Sequence, residues 1–154
     1  MFLKVLKNIF YLFFPLLIGA VSSFVSGNMS SFYGDLTKPT FAPPGFIFGI
    51  VWPILYVLMG IAYYLVKRQN LFKNSDATFW YYTQLFFNFF WSIIFFRFES
   101  LWFSFFWLVL LFVFIIITFI KFKSINKTSA YLLIPYIIWV VFAGYLNLSF
   151  AILN

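Results

Sequence analysis

Residues 101–122 read LWFSFFWLVLLFVFIIITFIKF. The first charge in this run is Lys121, and only Ser104 and Thr118 interrupt the apolar residues before it. A buried strand ends within about 4–8 residues. A hydrocarbon core asks for about 20 apolar residues in a helix, because every backbone N–H and C=O must find its partner inside the segment. Four further apolar runs, at 9–25, 46–66, 79–98 and 130–153, have the same character. Together they predict an all-α integral membrane bundle of five transmembrane helices, forming one domain over 1–154. Between the first two runs, Gly27 to Gly45 is rich in Gly, Ser, Thr and Pro and reads as a structured loop.

Composition agrees. Of 154 residues, 65% are hydrophobic and 8% charged, whereas a soluble domain carries about 25% charged residues. With no Cys and no His, the chain offers no disulfide, zinc site or Cys/His catalysis. Asp35, Asp76 and Glu99 fall between the apolar runs, so no carboxylate pair is set for acid–base work and no intramembrane charge marks an ion path. Most of the 27 phenylalanines read as lipid-facing filler. Trp80 and Trp102, near span ends, read as interfacial belt residues.

The net charge of +7 sits in the connections, so it reads as a topology signal rather than an affinity for nucleic acid. Lys4, Lys7, Lys67, Arg68, Lys73, Lys121, Lys123 and Lys127 share one side, against Lys38 and Arg97 on the other. This predicts a cytoplasmic N-terminus and an external C-terminus. Apolar helices, not barrel strands, point to a bacterial inner membrane. Lys4 and Lys7 ahead of an apolar stretch and Ala20-Val21-Ser22 also fit a cleaved signal sequence, which would leave four spans.

Polar residues recur at helical spacing. The first helix carries Pro15, Gly19, Ser22 and Ser26 on one face, the second Trp52, Tyr56, Gly60 and Tyr63, and the third Gln84, Asn88, Trp91 and Phe95. The fifth carries Tyr136, Trp139, Ala143 and Asn147. The small residues of the first helix read as packing positions. Gly60 is expected to open space beside the aromatic rings. Amides are costly in hydrocarbon, so the other three faces should look inward. The residues alone leave two readings open: a core held by interhelical hydrogen bonds, or a pocket with aromatic walls.

The stretch from Phe32-Tyr33-Gly34-Asp35-Leu36-Thr37-Lys38-Pro39 to Pro43-Pro44, with Phe48, Trp52, Leu55-Tyr56, Met59-Gly60 and Ala62, resembles the signature of the TspO/MBR family, which includes translocator proteins and bacterial tryptophan-rich sensory proteins. The resemblance resumes at Gln84-Leu85, Asn88 and Trp91-Ser92, and again at Leu132-Leu133-Ile134-Pro135-Tyr136, Trp139, Phe142-Ala143 and Leu146-Asn147. It implies a five-helix bundle that keeps its first helix. It also implies a pocket between the helices, under the first loop, formed by Tyr33, Pro43, Trp52, Tyr56, Asn88, Trp91, Trp139, Ala143 and Leu146. Phe32 stands where relatives carry Trp, and Tyr145 is followed by no Lys or Arg, so the sterol motif of vertebrate relatives is not matched. Phenylalanine crowds the third helix where relatives show small-residue steps, which gives homodimerisation no support.

The function implied is binding of porphyrins or related tetrapyrroles, in their sensing, handling or transport. Rings of Trp and Tyr suit flat aromatic ligands. Asn88 would orient a polar edge and Lys38 would meet a propionate. With no His or Cys for axial ligation, a metal-free porphyrin fits better than haem. No cofactor and no metal site are implied. Two alternatives stand: a light- and oxygen-dependent porphyrin-degrading enzyme using Trp52 and Trp139, and a membrane scaffold or partner subunit without ligand.

Overall fold

The computed structural model describes residues 2–69 and 74–154. The regular structure of the described residues is all helical: α1 (Phe2–Ser26), α2 (Met29–Asp35), α3 (Phe46–Arg68), α4 (Asn74–Ser92), α5 (Leu101–Lys123), α6 (Lys127–Tyr131) and α7 (Ile134–Leu153). A single wider π-helical turn, Ile93–Arg97, prolongs α4. Among the described residues four segments are long and apolar enough to cross a membrane: Val5–Ser26, Phe46–Arg68, Leu101–Lys123 and Lys127–Leu153. The fifth expected span falls on α4, which is diluted by Asn74, Asp76, Gln84 and Asn88. α4 is not among these four, and its amides Gln84 and Asn88 are buried inside the bundle.

Two expected elements are subdivided. Within the first loop, α2 is a short helix whose N-cap Asn28 accepts from the Ser31 N–H at 3.2 Å. The run at 130–153 divides because Pro135 has no N–H to bond back to Tyr131. Asn126 caps α6 by accepting from the Ser129 N–H at 3.0 Å, and α7 begins afresh with Pro135 in its first turn. Asp76 lies in the first turn of α4, not in a loop, and pairs with Lys121.

The long helices form a ring. α1 packs on α3 and on α4 with its π turn, α4 on α5, and α5 on α7. The seam between α7 and α3 differs, because those two backbones scarcely approach each other. α6 lies against α3 at one end of the seam. At the other end Tyr33 of α2 meets Phe48 of α3 and Phe150 of α7, with ring centroids 5.2 and 5.6 Å apart. There the Asn154 side chain also accepts from the Thr37 N–H at 2.8 Å and donates to the Thr37 C=O at 3.2 Å, tying the loop to the end of α7.

The small residues of α1 are packing positions, as expected. Ser22 Oγ donates to the Phe89 C=O at 2.7 Å, and Ser26 Oγ lies 3.1 Å from Ser92 Oγ. A Cβ on Gly19 would strike the Tyr56 ring. The expectation for Gly60 is corrected: it opens no space, because a Cβ there would collide with the Leu12 backbone carbonyl. It is the point where α1 and α3 touch backbone to backbone.

The basic residues gather at two ends. Lys67 Nζ stands 6.0 Å from the Tyr11 ring centroid, joining the start of α1 to the end of α3. Arg97 donates to the Val25 C=O at 2.9 Å, joining the opposite ends of α1 and α4. Lys73 and the Lys4 side chain lie outside the described residues. Replacing Gly60 with Ala should lower stability in detergent by about 1–3 kcal/mol, the usual cost of overpacking. Gly49→Ala, on the same helix with nothing within 4 Å, should be neutral or slightly stabilising; equal melting of the two variants would contradict the close approach.

Candidate ligand-binding site

The inward faces of α3, α4 and α7 do converge. Gln84, Asn88, Trp91 and Phe95 are all buried, as are Tyr56, Tyr136, Ala143, Leu146 and Asn147. Trp52 and Trp139 are half-buried. α4 supplies the centre. Tyr56 OH donates to Asn88 Oδ1 at 2.6 Å, Asn88 Nδ2 donates to Tyr136 OH at 2.9 Å, and Tyr136 OH donates to Gln84 Oε1 at 2.9 Å. One carboxamide thus reaches both walls, and four polar side chains that hydrocarbon would strand are paired with one another.

Around this network the rings stack. Trp52 lies 5.7 Å from Tyr56 at 28° and 6.1 Å from Trp91. Trp91 Nε1 donates to Asn147 Oδ1 at 3.1 Å, and Asn147 Nδ2 donates to the Leu101 C=O at 2.9 Å. Trp139 meets Phe48 at 5.7 Å. Its Nε1 is buried without a hydrogen-bond partner among the described residues. An indole N–H left this way carries an unmet donor, at a cost of about 1–3 kcal/mol.

The loop closes over the top. Tyr33 OH donates to the Pro43 C=O at 2.7 Å, fastening α2 to the segment that enters α3. Burial pushes the Tyr33 hydroxyl up from its ordinary pKa, which keeps it a donor. Tyr33, Trp91, Ala143 and Leu146 share a cavity with Phe48 and Phe150. That cavity is only about 10 Å³, the space of one water.

Three expectations change. The site residues are neighbours, but the cavity that Tyr33, Trp91, Ala143 and Leu146 line is not lined by Trp52, Asn88 or Trp139. Asn88 already bonds Tyr56 and Tyr136, so it orients protein groups and keeps one N–H and one lone pair at most for a ligand edge. Lys38 folds back onto its own loop, donating to the Gly34 C=O at 3.0 Å and standing 5.2 Å over the Tyr33 ring. Phe48 and Phe150 were not among the expected site residues. Periodicity carried the signal: Phe48 lies one turn before Trp52, and Phe150 one turn after Leu146.

Tyr136→Phe should unpair Gln84 Oε1 and one Asn88 donor together. It should cost about 1–3 kcal/mol, whereas Tyr145→Phe on the exposed face should cost almost nothing. Unfolding in graded SDS measures both, and equal behaviour would dissolve the network.

The sequence profile of the TspO/MBR family matches residues 11–153. The chain is 32% identical to the tryptophan-rich protein TspO of Archaeoglobus fulgidus, with 99% of each chain covered. It is 30% identical to the tryptophan-rich sensory protein of Cereibacter sphaeroides, covering 79% of this chain and 76% of that one. It is 32% identical to the human translocator protein over 82% of this chain and 76% of that one. Apolar helices, a polar knot on α4 and this breadth of similarity agree: the chain is a multi-pass membrane protein and belongs to the TspO/MBR family.

Proposed function

We propose that this protein binds porphyrins or related flat tetrapyrroles, metal-free in preference to haem, in the seam between α3 and α7, backed by α4 and roofed by the 36–45 loop. The observation that carries this is the seam itself. Every other neighbouring pair of long helices in the ring packs closely, while α3 and α7 are held apart by Phe48, Trp52, Tyr136 and Trp139. Ring-sized side chains that separate two helices are replaceable by a ring-sized ligand without moving either backbone far. Trp52, Tyr56, Trp91 and Trp139 would give it flat apolar contact, each stacking adding about 0.5–1.5 kcal/mol beyond burial. Trp139 Nε1 offers it a donor with no present partner.

Tyr33, Pro43, Ala143 and Leu146 would form the roof and its far wall. Admission of the ligand requires the roof to lift, which breaks the bond from Tyr33 to Pro43 and the two bonds from Asn154 to Thr37. Each is worth about 0.5–1.5 kcal/mol net, so opening is affordable to a ligand that buries a large flat surface. A sensing, handling or transport role accords with the names carried by the bacterial and human relatives. The second reading is a bundle that binds nothing, and the 10 Å³ cavity favours it.

Titration with protoporphyrin in the dark separates the two. Binding with quenched tryptophan emission, weakened by about 0.5–1.5 kcal/mol in Trp52→Phe or Trp139→Phe, supports the slot. Absence of saturable binding leaves the filled bundle. A discrete, Trp-dependent product under light and oxygen would make the protein an enzyme.

We take α4 with its π turn as the fifth span, in a bacterial inner membrane, with Lys7, Lys67, Arg68, Lys121, Lys123 and Lys127 at the cytoplasmic end. A C-terminal reporter active only in the periplasm should then be active. Activity of a cytoplasm-only reporter would reverse the orientation.

A further inference from the structure

At the end of the ring away from the lysine cluster, α1 stops at Ser26, α2 lies across it, the π turn stops at Arg97 and α5 starts at Leu101. An open groove of about 480 Å³ runs between these helix ends. Its walls carry charges of both signs, Arg97 on one hand and Asp35 and Glu99 on the other, beside the apolar Phe32 and Phe96. Arg97 is positioned: one Nη donates to the Val25 C=O at 2.9 Å, and the rest of its planar fork remains for an anion. Among the described residues the one ion pair is Lys121–Asp76, at the opposite end. Arg97 and the two carboxylates therefore share a groove without pairing to each other.

Opposite charges that share a groove yet stand apart fit a ligand that carries both charges itself. The chain beside the groove supplies a third part: Phe24 lies two residues before Ser26, Phe98 between Arg97 and Glu99, and Trp102 three residues after Glu99, and they are 87%, 67% and 52% exposed. These rings sit where the apolar helices end, at the level of lipid headgroups. Glu99 adds a further mark, with φ of 51° in the left-handed region. A side chain there is strained where glycine would not be.

We propose that this groove seats the headgroup of a zwitterionic phospholipid bearing a primary ammonium. Its phosphate lies on Arg97, its ammonium lies between Asp35 and Glu99, and its chains run down past Phe24 and Phe98. A primary ammonium donates hydrogen bonds to carboxylates; a trimethylated one has no N–H to donate, and a glycerol headgroup brings no positive charge to meet them. The proposal stands apart from the tetrapyrrole reading, which concerns the seam between α3 and α7.

The test uses the full chain in delipidated detergent, with native mass spectrometry and melting shifts against four probes. These are short-chain phosphatidylethanolamine, phosphatidylcholine, phosphatidylglycerol and free phosphoethanolamine. Phosphatidylethanolamine should bind about tenfold better than the other two lipids, the scale of one charge-assisted hydrogen bond. Asp35→Asn and Glu99→Gln should each erase that preference while leaving the ligand-free melting temperature in place. Arg97→Gln should weaken all three lipids. Since that change also frees the Val25 carbonyl, the two carboxylate variants carry the test if it fails to fold. Equal binding of the three lipids, a preference for phosphatidylglycerol, or a preference untouched by Asp35→Asn and Glu99→Gln would overturn the proposal. Free phosphoethanolamine binding as tightly as the lipid would also overturn it, assigning the groove to a soluble zwitterion.

Discussion

A carboxamide in hydrocarbon has nowhere to turn but to the protein. Asn88, on the inward face of α4, resolves this by reaching both walls of the seam: it accepts from Tyr56 on α3 and donates to Tyr136 on α7. Much of the remaining architecture follows. Because the partners are tyrosines, each wall is held one long side chain away from α4, and α3 and α7 cannot collapse onto one another. Because the Tyr56 ring must lie flat between helices to make its bond, α1 has to present Gly19 against it. Where no ring intervenes, at Gly60, α1 and α3 close to backbone contact. The amide bracket and the two glycines together set which seams of the ring are tight and which is wide.

The wide seam is closed by weaker means than those that build it. Its roof rests on one tyrosine hydroxyl, one two-point amide contact and edge-to-face rings, each of modest strength in a wet interfacial setting. The bracket below it is fully buried, where an unpaired amide costs more than a broken surface bond returns. Stress on the seam should therefore lift the roof before it parts the bracket. This ordering follows from the strength and burial of named bonds: the 36–45 loop is expected to yield before α4 does.

Charge follows a different division of labour. Inside the bundle the polar groups are neutral and, Trp139 Nε1 apart, the amides and tyrosines of the central network are paired; charges stand at the helix ends. The lysine-rich end needs no particular geometry to act as a topology signal, and keeps its one acid paired. The other end is sparse, with each charge individually placed, and there Arg97 is positioned by a backbone carbonyl of α1.

Hydropathy alone determined the fold class, the four spans of strong apolar character and the loop between the first two, because lipid imposes backbone pairing on any segment that crosses it. Spacing determined the inward faces, since Gln84, Asn88 and Trp91 on α4 repeat at the helical period and cannot face hydrocarbon cheaply. The family signature was legible for the same reason: its residues are the ones with a polar or steric task. What the sequence could not state was the partner of each group. That Asn88 bonds Tyr56 and Tyr136, that Gly60 receives a backbone and not a space, and that Trp52 lies beside Trp91 are facts of distance between helices far apart in the chain. Helical period tells which way a side chain points, but not how far away the opposite wall stands. Only the packed ring, with α1, α4 and α5 fixing where α3 and α7 could go, decided that distance.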